Sequence, residues 1–505
     1  MAVLAGEAHA QTFRVVVVPG LRAHDLRQVA QRGAVGLLVP GAGPETNGGW
    51  ALAMLERGVV RNSLLDPTPP GPARIRVEQA VAIPRGNHLI VVGLPRSGDQ
   101  RNDRRYAVAV IGGGYRGVLT SGSTRIPGLV SVADIAPTAL GEPDALGSEQ
   151  RENPLDALAD LERQIDDHNA WRSRTASWLE GATAVLAVVS PPAAVLGVAA
   201  ALGANVVLGA TDVTRGLAFA MLIAAALSGL VLARVFRSDL AMAAALTTVV
   251  LAYLVSFVFD ERWVALSPLG PTQISRFYGI TNLLATLLLV PSLAAAALLV
   301  RRPLAAAAVA SLAFVTVAGS RFGADGGGAL VLAVGFGVLG ALVYGAGRRA
   351  VALAVAGGLA LVGVLLALDA LTGASSHVTR AVDDGPGELA ADLSNRLVLS
   401  WERATASVST GVLVWAGLAV FALLVLRLAR LDAAMRERAL PFAFAAAIGT
   451  SLIVNDSPKD VVLAGLAGFL ALERLALGPR SAAGALRARL EGLTGQASPG
   501  ASHSE

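Results

Sequence analysis

The chain offers few side chains that could do chemistry, and their types narrow what that chemistry is. Cysteine is absent, which excludes thiolate nucleophiles, disulfides, zinc–cysteine sites and iron–sulfur clusters. The six histidines, His9, His24, His88, His168, His377 and His503, never fall four apart, so no helical face carries the paired imidazoles of a zincin-type metal site. Lys459 is the sole lysine, and no Gly-Lys-Ser/Thr string exists to build a Walker-type phosphate loop. What remains is arginine, carboxylate, amide and hydroxyl chemistry: holding an anion, relaying a proton, or attack by a hydroxyl. Thr46 and Ser121 are the hydroxyls to nominate as nucleophiles, although neither has an obvious base or metal ligand beside it. No metal or cofactor is expected.

The polar strings that stand out lie in the apolar two-thirds of the chain. Residues 267–282 read SPLGPTQISRFYGITN, with Arg276, Tyr278 and Asn282 at the entrance to a helix. Residues 319–328 read GSRFGADGGG and place Arg321 and Asp325 beside a glycine run. His377 and Arg380 fall in a long loop over 370–406, and NDSPKD at 455–460 supplies Asn455, Asp456 and Lys459. Each string has an ordinary explanation. Ser457-Pro458 suits a helix start, Asp325 and Arg321 suit a pair at the membrane interface, and Arg276 with Tyr278 suits an anchor at headgroup level. The functional alternative is that Arg276, Asn282, Arg321, Asp325, Asp456 and Lys459 converge on one cavity, because ionisable groups at membrane depth are costly and mark sites.

Composition says what must position these groups. Hydrophobic residues make up 54% of the 505 residues and charged residues only 15%, against about a quarter charged in soluble domains. A net charge of +4 is too small to suggest a nucleic-acid binder. Basic and acidic side chains balance over residues 1–181, so the whole excess lies in 182–505. The chain divides into an α/β domain (12–150), a charged helical connector (151–181), an all-α polytopic transmembrane domain (182–478) and a largely disordered tail (479–505). Apolar runs long enough to cross a hydrocarbon core cover 182–209, 216–233, 240–259, 279–300, 303–319, 329–346, 350–368, 407–426, 439–454 and 459–476, for about ten helices. Abundant Gly and Ala suits close helix approach in lipid.

Arginines set an orientation. Arg234, Arg237, Arg301, Arg302, Arg348, Arg349, Arg427, Arg430, Arg436, Arg438 and the arginines after Glu473 occupy alternate loops and outnumber the basic residues of the other set. The positive-inside rule puts them, and the C-terminus, in the cytoplasm of a plasma-membrane protein. Counted strictly, the same rule puts residues 1–181 there too. Ala8-His9-Ala10 argues otherwise, having the small-x-small form of a signal-peptidase site, so residues 1–11 are either a signal remnant or an alanine-rich tail. A second crossing around Pro191-Pro192 would reconcile the two, and the N-terminal domain is taken as extracytoplasmic.

Short apolar runs organise that domain. Residues 13–18 (FRVVVV), 34–39, 88–92 (HLIVV) and 106–111 (YAVAVI) read as strands, with helices over 24–32 and 50–57, a pattern that predicts a mostly parallel α/β sheet. Gly112-Gly113-Gly114 reads as a turn in preference to a phosphate cradle, and Asp134 as the N-cap of a helix through Pro137.

The stretch LTSGSTRIPGLVSVADIAPTAL (119–140), the opening VVVVPGL and GAVGLL (33–38) resemble the alkaline-phosphatase superfamily. RFYGI.N, GAD.GG and NDS are similar to strings in bacterial polytopic membrane proteins that carry such a domain at their N-terminus. The resemblance implies a truncated alkaline-phosphatase-like fold in the cell envelope. It also implies two metals and a Ser or Thr nucleophile, but Pro19 stands where the first strand normally ends in a metal-binding Asp, and Gly93-Leu94-Pro95 where Asp-His-Gly is usual. A two-metal site needs several carboxylates and imidazoles around ions about 4 Å apart, and no such set is found. The first expectation is therefore a catalytically dead domain on a membrane domain that binds or moves a lipid-linked or anionic envelope substrate. Arg276 and Arg321 would hold its headgroup, and Asp325 or Asp456 would pair with a counter-charge or relay a proton. A membrane-bound phospho- or sulfohydrolase or transferase, and a structural partner in an envelope assembly, are the alternatives.

Overall fold

A computed structural model describes residues 12–65, 68–69, 71–142, 145–211, 213, 215–319, 321–345 and 386–478, with backbone only at 215 and 386–393. Residues 1–11, the span expected over 350–368, His377, Arg380 and the tail from 479 lie outside the described residues. The chain separates into two compact units, residues 1–169 with 271–278, and residues 170–270 with 279–505.

The first unit is built on β1 (Arg14–Pro19), β2 (Gly33–Val39), β4 (Val77–Gln79), β5 (Leu89–Leu94), β7 (Tyr106–Ile111), β8 (Gly117–Thr120), β9 (Leu129–Ser131) and β10 (Gly147–Glu149), with β3 (Glu45–Thr46) and β6 (Gln100–Arg101) as a separate pair. The eight-stranded sheet runs β10-β8-β2-β7-β5-β1-β4, and β9 pairs with β2. The four apolar runs of the sequence are its four contiguous central strands. The sheet is mixed, however, not mostly parallel: β7 runs antiparallel to both β2 and β5, while β1 is parallel to β5 and β4. An apolar run encodes burial on both faces but not direction. Val15 and Val17 of β1 pack with Ile90, Val92, Val108 and Val110 against α2 (Gly48–Arg57) and α3 (Ile135–Leu140). The alternate residues Val16 and Val18 are buried as well, so both faces are covered, with α1 (Arg27–Ala30) as a further short helix. Gly112, Gly113 and Gly114 turn with φ of 92°, 59° and 84°, left-handed geometry that glycine adopts freely.

Helix α4 (Pro154–Val189) begins in this unit, where Arg105, 3% exposed, pairs with Asp166. Burial outweighs that arginine and holds the carboxyls of Asp166 and Glu162 above the ordinary range.

The second unit is helical: α5 (Pro191–Gly209), α6 (Arg215–Val235), α7 (Asp239–Phe259), the single turn α8 (Arg262–Ala265), α9 (Asn282–Leu298), α10 (Pro303–Ala318), α11 (Gly326–Val343), α12 (Pro386–Thr405), α13 (Val408–Arg430), α14 (Ala439–Val454) and α15 (Pro458–Leu477). Among the described residues, five helices are long and apolar enough to cross a membrane: α5, α6 (from Gly216), α7, α11 and α13. Helices α9, α10 and α14 are apolar but shorter. Two expectations are corrected. Residues 182–209 are not one helix: α4 ends at Val189, Ser190 breaks it, and Pro191 and Pro192 open α5, where proline fits the first turn. The loop expected over 370–406 is helical from Pro386.

Apolar side chains such as Leu217, Val231, Leu251, Phe259, Val412 and Leu423 are exposed on α6, α7 and α13. Leaving such surface in water costs about 25 cal/mol per Å², so these faces suit lipid. Helices α5 and α6 meet backbone to backbone: a Cβ on Gly229 would sit 2.1 Å from the Ala193 carbonyl oxygen, and one on Gly197 would sit 2.3 Å from that of Ala226. Gly229→Val is expected to destabilise the protein by about 1–3 kcal/mol through overpacking, read as a lowered thermal midpoint in detergent.

Candidate functional site

In the sheet unit, the loop after β8 folds around one carboxylate. Ser121 Oγ donates to Asp134 Oδ2 (2.8 Å) and accepts from the backbone N–H groups of Ser123 (3.0 Å) and Thr124 (3.3 Å). Ser123 Oγ donates to Asp134 Oδ1 (2.6 Å), and the Ser131 N–H donates to Oδ2 (2.7 Å). Asp134 therefore closes a capping box with Ser131 and ties down the Ser121–Ser123 turn, in place of the expected cap on α3, which its side chain does not make. Such local side-chain bonds substitute for regular structure and fix the loop's path.

That path carries Arg125 in left-handed backbone geometry (φ 56°), with its guanidinium carbon 3.9 Å from the centroid of the Tyr278 ring. A cation over an aromatic face is held by the ring quadrupole. Beside it lies a cavity of about 370 Å³ lined by Thr120, Ser121, Gly122, Arg125, Pro127, Ala145 and Gly147. Tyr278, half of the membrane anchor suggested by sequence, and Arg276 both belong to a segment, residues 271–278, that groups with the sheet unit.

The nominated nucleophiles are poorly placed for attack. Ser121 is 8% exposed and its hydroxyl already serves Asp134, whose two oxygens take three donors. Thr46 is 2% exposed. Pro19, at the end of β1, lies opposite Leu94 of β5, so neither of these adjacent strand ends presents a ligand. Among the described residues, no three His, Asp or Glu side chains group as a metal site.

In the helical unit a second polar cluster gathers four helix ends. Asp456 Oδ1 accepts from Asn282 Nδ2 at the start of α9 (3.0 Å). Its Oδ2 pairs with Arg403 of α12 (2.7 Å), which also donates to the Asp456 carbonyl (3.0 Å). Arg396, about two turns earlier on α12, reaches the Val454 carbonyl at 3.5 Å. Asn455 donates to Ser451 Oγ (2.8 Å), and its Oδ1 lies 2.6 Å from where a Cβ on Gly327 would be. Asp325, 3% exposed, precedes α11 and makes no side-chain cap.

Of the residues expected to converge, the structure thus brings together Asn282, Asn455 and Asp456, with the Asp325–Gly328 helix start touching Asn455. Arg321 is exposed. Lys459 instead contacts Ser173 of α4 (3.5 Å), while its neighbour Asp460 pairs with Arg172 (3.6 Å). Arg403, Arg396 and Arg125 were missed as site residues. The signal for the first two was legible: Leu389, Leu393, Leu397 and Trp401 recur every four residues, the period of one helix face. Nothing in the spacing of Arg125 marks it.

Another buried network holds α5, α7 and the turn after α8. Asn205, fully buried, donates to the Tyr253 hydroxyl (3.1 Å) and Ser267 Oγ (2.8 Å), and accepts from the Leu269 N–H (2.9 Å).

The chain matches no family model, no curated protein and no solved structure.

Proposed function

We propose that the protein is a multi-pass plasma-membrane protein that binds, without cleaving, the anionic group of a lipid-linked or envelope molecule. The cavity beside Arg125 carries this reading. It sits at the carboxyl end of β8, the side of an α/β sheet where ligands commonly bind. It combines a cation held against Tyr278 with the hydroxyl of Thr120, and arginine suits phosphate or sulfate oxygens through its planar fork of donors. The sheet unit is then a degenerate relative of the alkaline-phosphatase superfamily, as the 119–140 stretch suggests. The engaged Ser121 hydroxyl, the buried Thr46 and the ligand-free ends of β1 and β5 support binding over turnover.

The helical unit holds or moves the apolar part of the ligand. Its exposed apolar faces suit lipid, and α9, α10 and α14 bring the spans among the described residues to eight, towards the bundle of about ten expected from the sequence. The arginine-bearing ends of α6, α13 and α15 lie in the cytoplasm. The Asp456 cluster then opens on the opposite face, and the N-terminal domain is extracytoplasmic.

The test is binding of inorganic phosphate and of a phosphate-bearing lipid headgroup to the detergent-solubilised full chain. Arg125→Ala is expected to weaken both at least about tenfold, the loss of one charge-assisted contact worth about 1.5–3 kcal/mol. Unchanged affinity would remove the cavity from the proposal. The second reading, a metal-dependent hydrolase, is separated by metal stoichiometry: two tightly held ions with phosphoester turnover would establish it.

A further inference from the structure

We propose that the second half of α4, residues 171–189, is an additional transmembrane segment, so that the chain enters and leaves the membrane domain on opposite faces. This rests on the membrane reading above and supplies the crossing that reading needs.

The argument follows two levels within the helical unit. At one level, Arg172 donates to the Gly270 carbonyl (3.0 Å) and pairs with Asp460 at the start of α15 (3.6 Å). Trp171 and Trp178 pack on Phe219, near the start of α6, at 5.4 and 6.4 Å between ring centroids. The two tryptophans lie about 10 Å apart along α4, and tryptophan is enriched where a helix enters a membrane. At the other level, Leu186 reaches within 3.3 Å of where a Cβ on Gly197 would lie, and Gly197 abuts Ala226 well along α6. The chain then reverses at Ser190 into α5, at the end of α6 that bears Arg234.

Between those levels α4 passes from Phe219 of α6 to Gly197 of α5, and both of these helices are long and apolar enough to span. Residues 172–189 rise about 27 Å, close to the roughly 30 Å of hydrocarbon in a bilayer. From Thr175 to Val189 the only charged residue is Glu180, itself 8% exposed, while Val185 and Val189 are 63% and 53% exposed, as lipid-facing residues are. Leu179, Leu186 and Ala187 join the core of the helical unit. Arg172 and Arg174 stand at the boundary, where long cationic side chains reach water.

One crossing more changes the parity of the bundle. Residues 1–169 then precede the membrane from outside the cytoplasm. This places the Arg125 cavity outside the cytoplasm and leaves Glu180 as a carboxylate inside the membrane, the kind of group that marks a proton or substrate path.

Because the chain contains no cysteine, single-cysteine variants of the full protein can be mapped with a membrane-impermeant maleimide in expressing bacterial cells. Ser97→Cys in the sheet unit is expected to label in intact cells. Met435→Cys, between α13 and α14, should label only after permeabilisation. Val185→Cys should resist in both states and react in dodecyl sulfate. Labelling of Ser97→Cys and Met435→Cys under the same condition overturns the extra span, as does a freely reactive Val185→Cys. Leu423→Cys on α13 separates the two ideas: if it too labels freely after permeabilisation, the membrane reading itself fails, whereas protection there with a reactive Val185→Cys defeats only the segment proposed here.

Discussion

Arg427→Met is expected to destabilise the protein by about 3–5 kcal/mol, because it removes a cation that pairs with a buried carboxylate. Glu473 of α15 is fully buried and its Oε1 accepts from Arg427 of α13 at 3.2 Å. Helix α13 is otherwise the span least embedded in the protein, with 17% of its apolar window buried, so this pair is the main polar tie holding it against α15. Removing the cation leaves the charge; removing both charges does not. The double variant Arg427→Met with Glu473→Gln is therefore expected to recover most of the loss, since a neutral amide is far cheaper to bury than an ion. Thermal unfolding in detergent, followed for the two single variants and the double, checks the sign of the coupling. Additive losses would show that the ion pair is not what joins these helices.

A comparable loss, about 3 kcal/mol, is expected for Asn205→Leu. Apolar replacement leaves the Leu269 N–H without its acceptor in a site with no solvent, and an orphaned buried donor costs about 1–3 kcal/mol before packing changes are counted. Tyr253→Phe removes only one of the oxygens that Asn205 donates to and leaves the bonds to Ser267 and Leu269 intact, so it should cost about 1 kcal/mol. The contrast between the two is the measurement. Equal losses would mean that the Tyr253 hydroxyl counts for as much as the whole Asn205 amide and that the network has no hub. Because Arg172 also fixes the Gly270 carbonyl, residues 267–270 are held from two helices.

How far the fold could be read from sequence depended on what each element buries. β1, β2, β5 and β7 are covered on both faces, so each is an uninterrupted apolar run, and all four were legible. The direction of β7 was not, because antiparallel and parallel neighbours demand the same side chains at a central strand. β8, β9 and β10 are three or four residues long, too short for a period to show. In the helical unit, Pro191-Pro192 was visible as a break, yet the apolar residues on both sides invited one continuous span. Helix α12 hid behind its own polarity: Arg396 and Arg403 made it look like a loop, although they are the residues that reach toward Val454 and Asp456.

The site was legible in part for a related reason. Asn282, Asn455 and Asp456 stood out as polar groups at the ends of apolar runs, and they do meet. Arg276 and Tyr278 stood out equally, but their segment groups with the sheet unit, an affiliation that no local pattern encodes. Arg125 gains its role from a stacking partner 153 positions away, and pairing over such a separation leaves no trace in either neighbourhood.

The contact of α5 with α6 through Gly197 and Gly229 has a mechanical corollary. Where main chains touch with no side chain between them, there is nothing to slide on, so the two helices travel as one rigid plate. If the helical unit rocks or opens to pass a ligand, the hinge lies elsewhere. Among the described spans the least embedded is α13, held to α15 by Arg427 and by Phe421 on Phe469 at 5.5 Å, with an edge-to-face contact of Trp415 with Trp401 at 6.1 Å nearer its start. A gate would swing there.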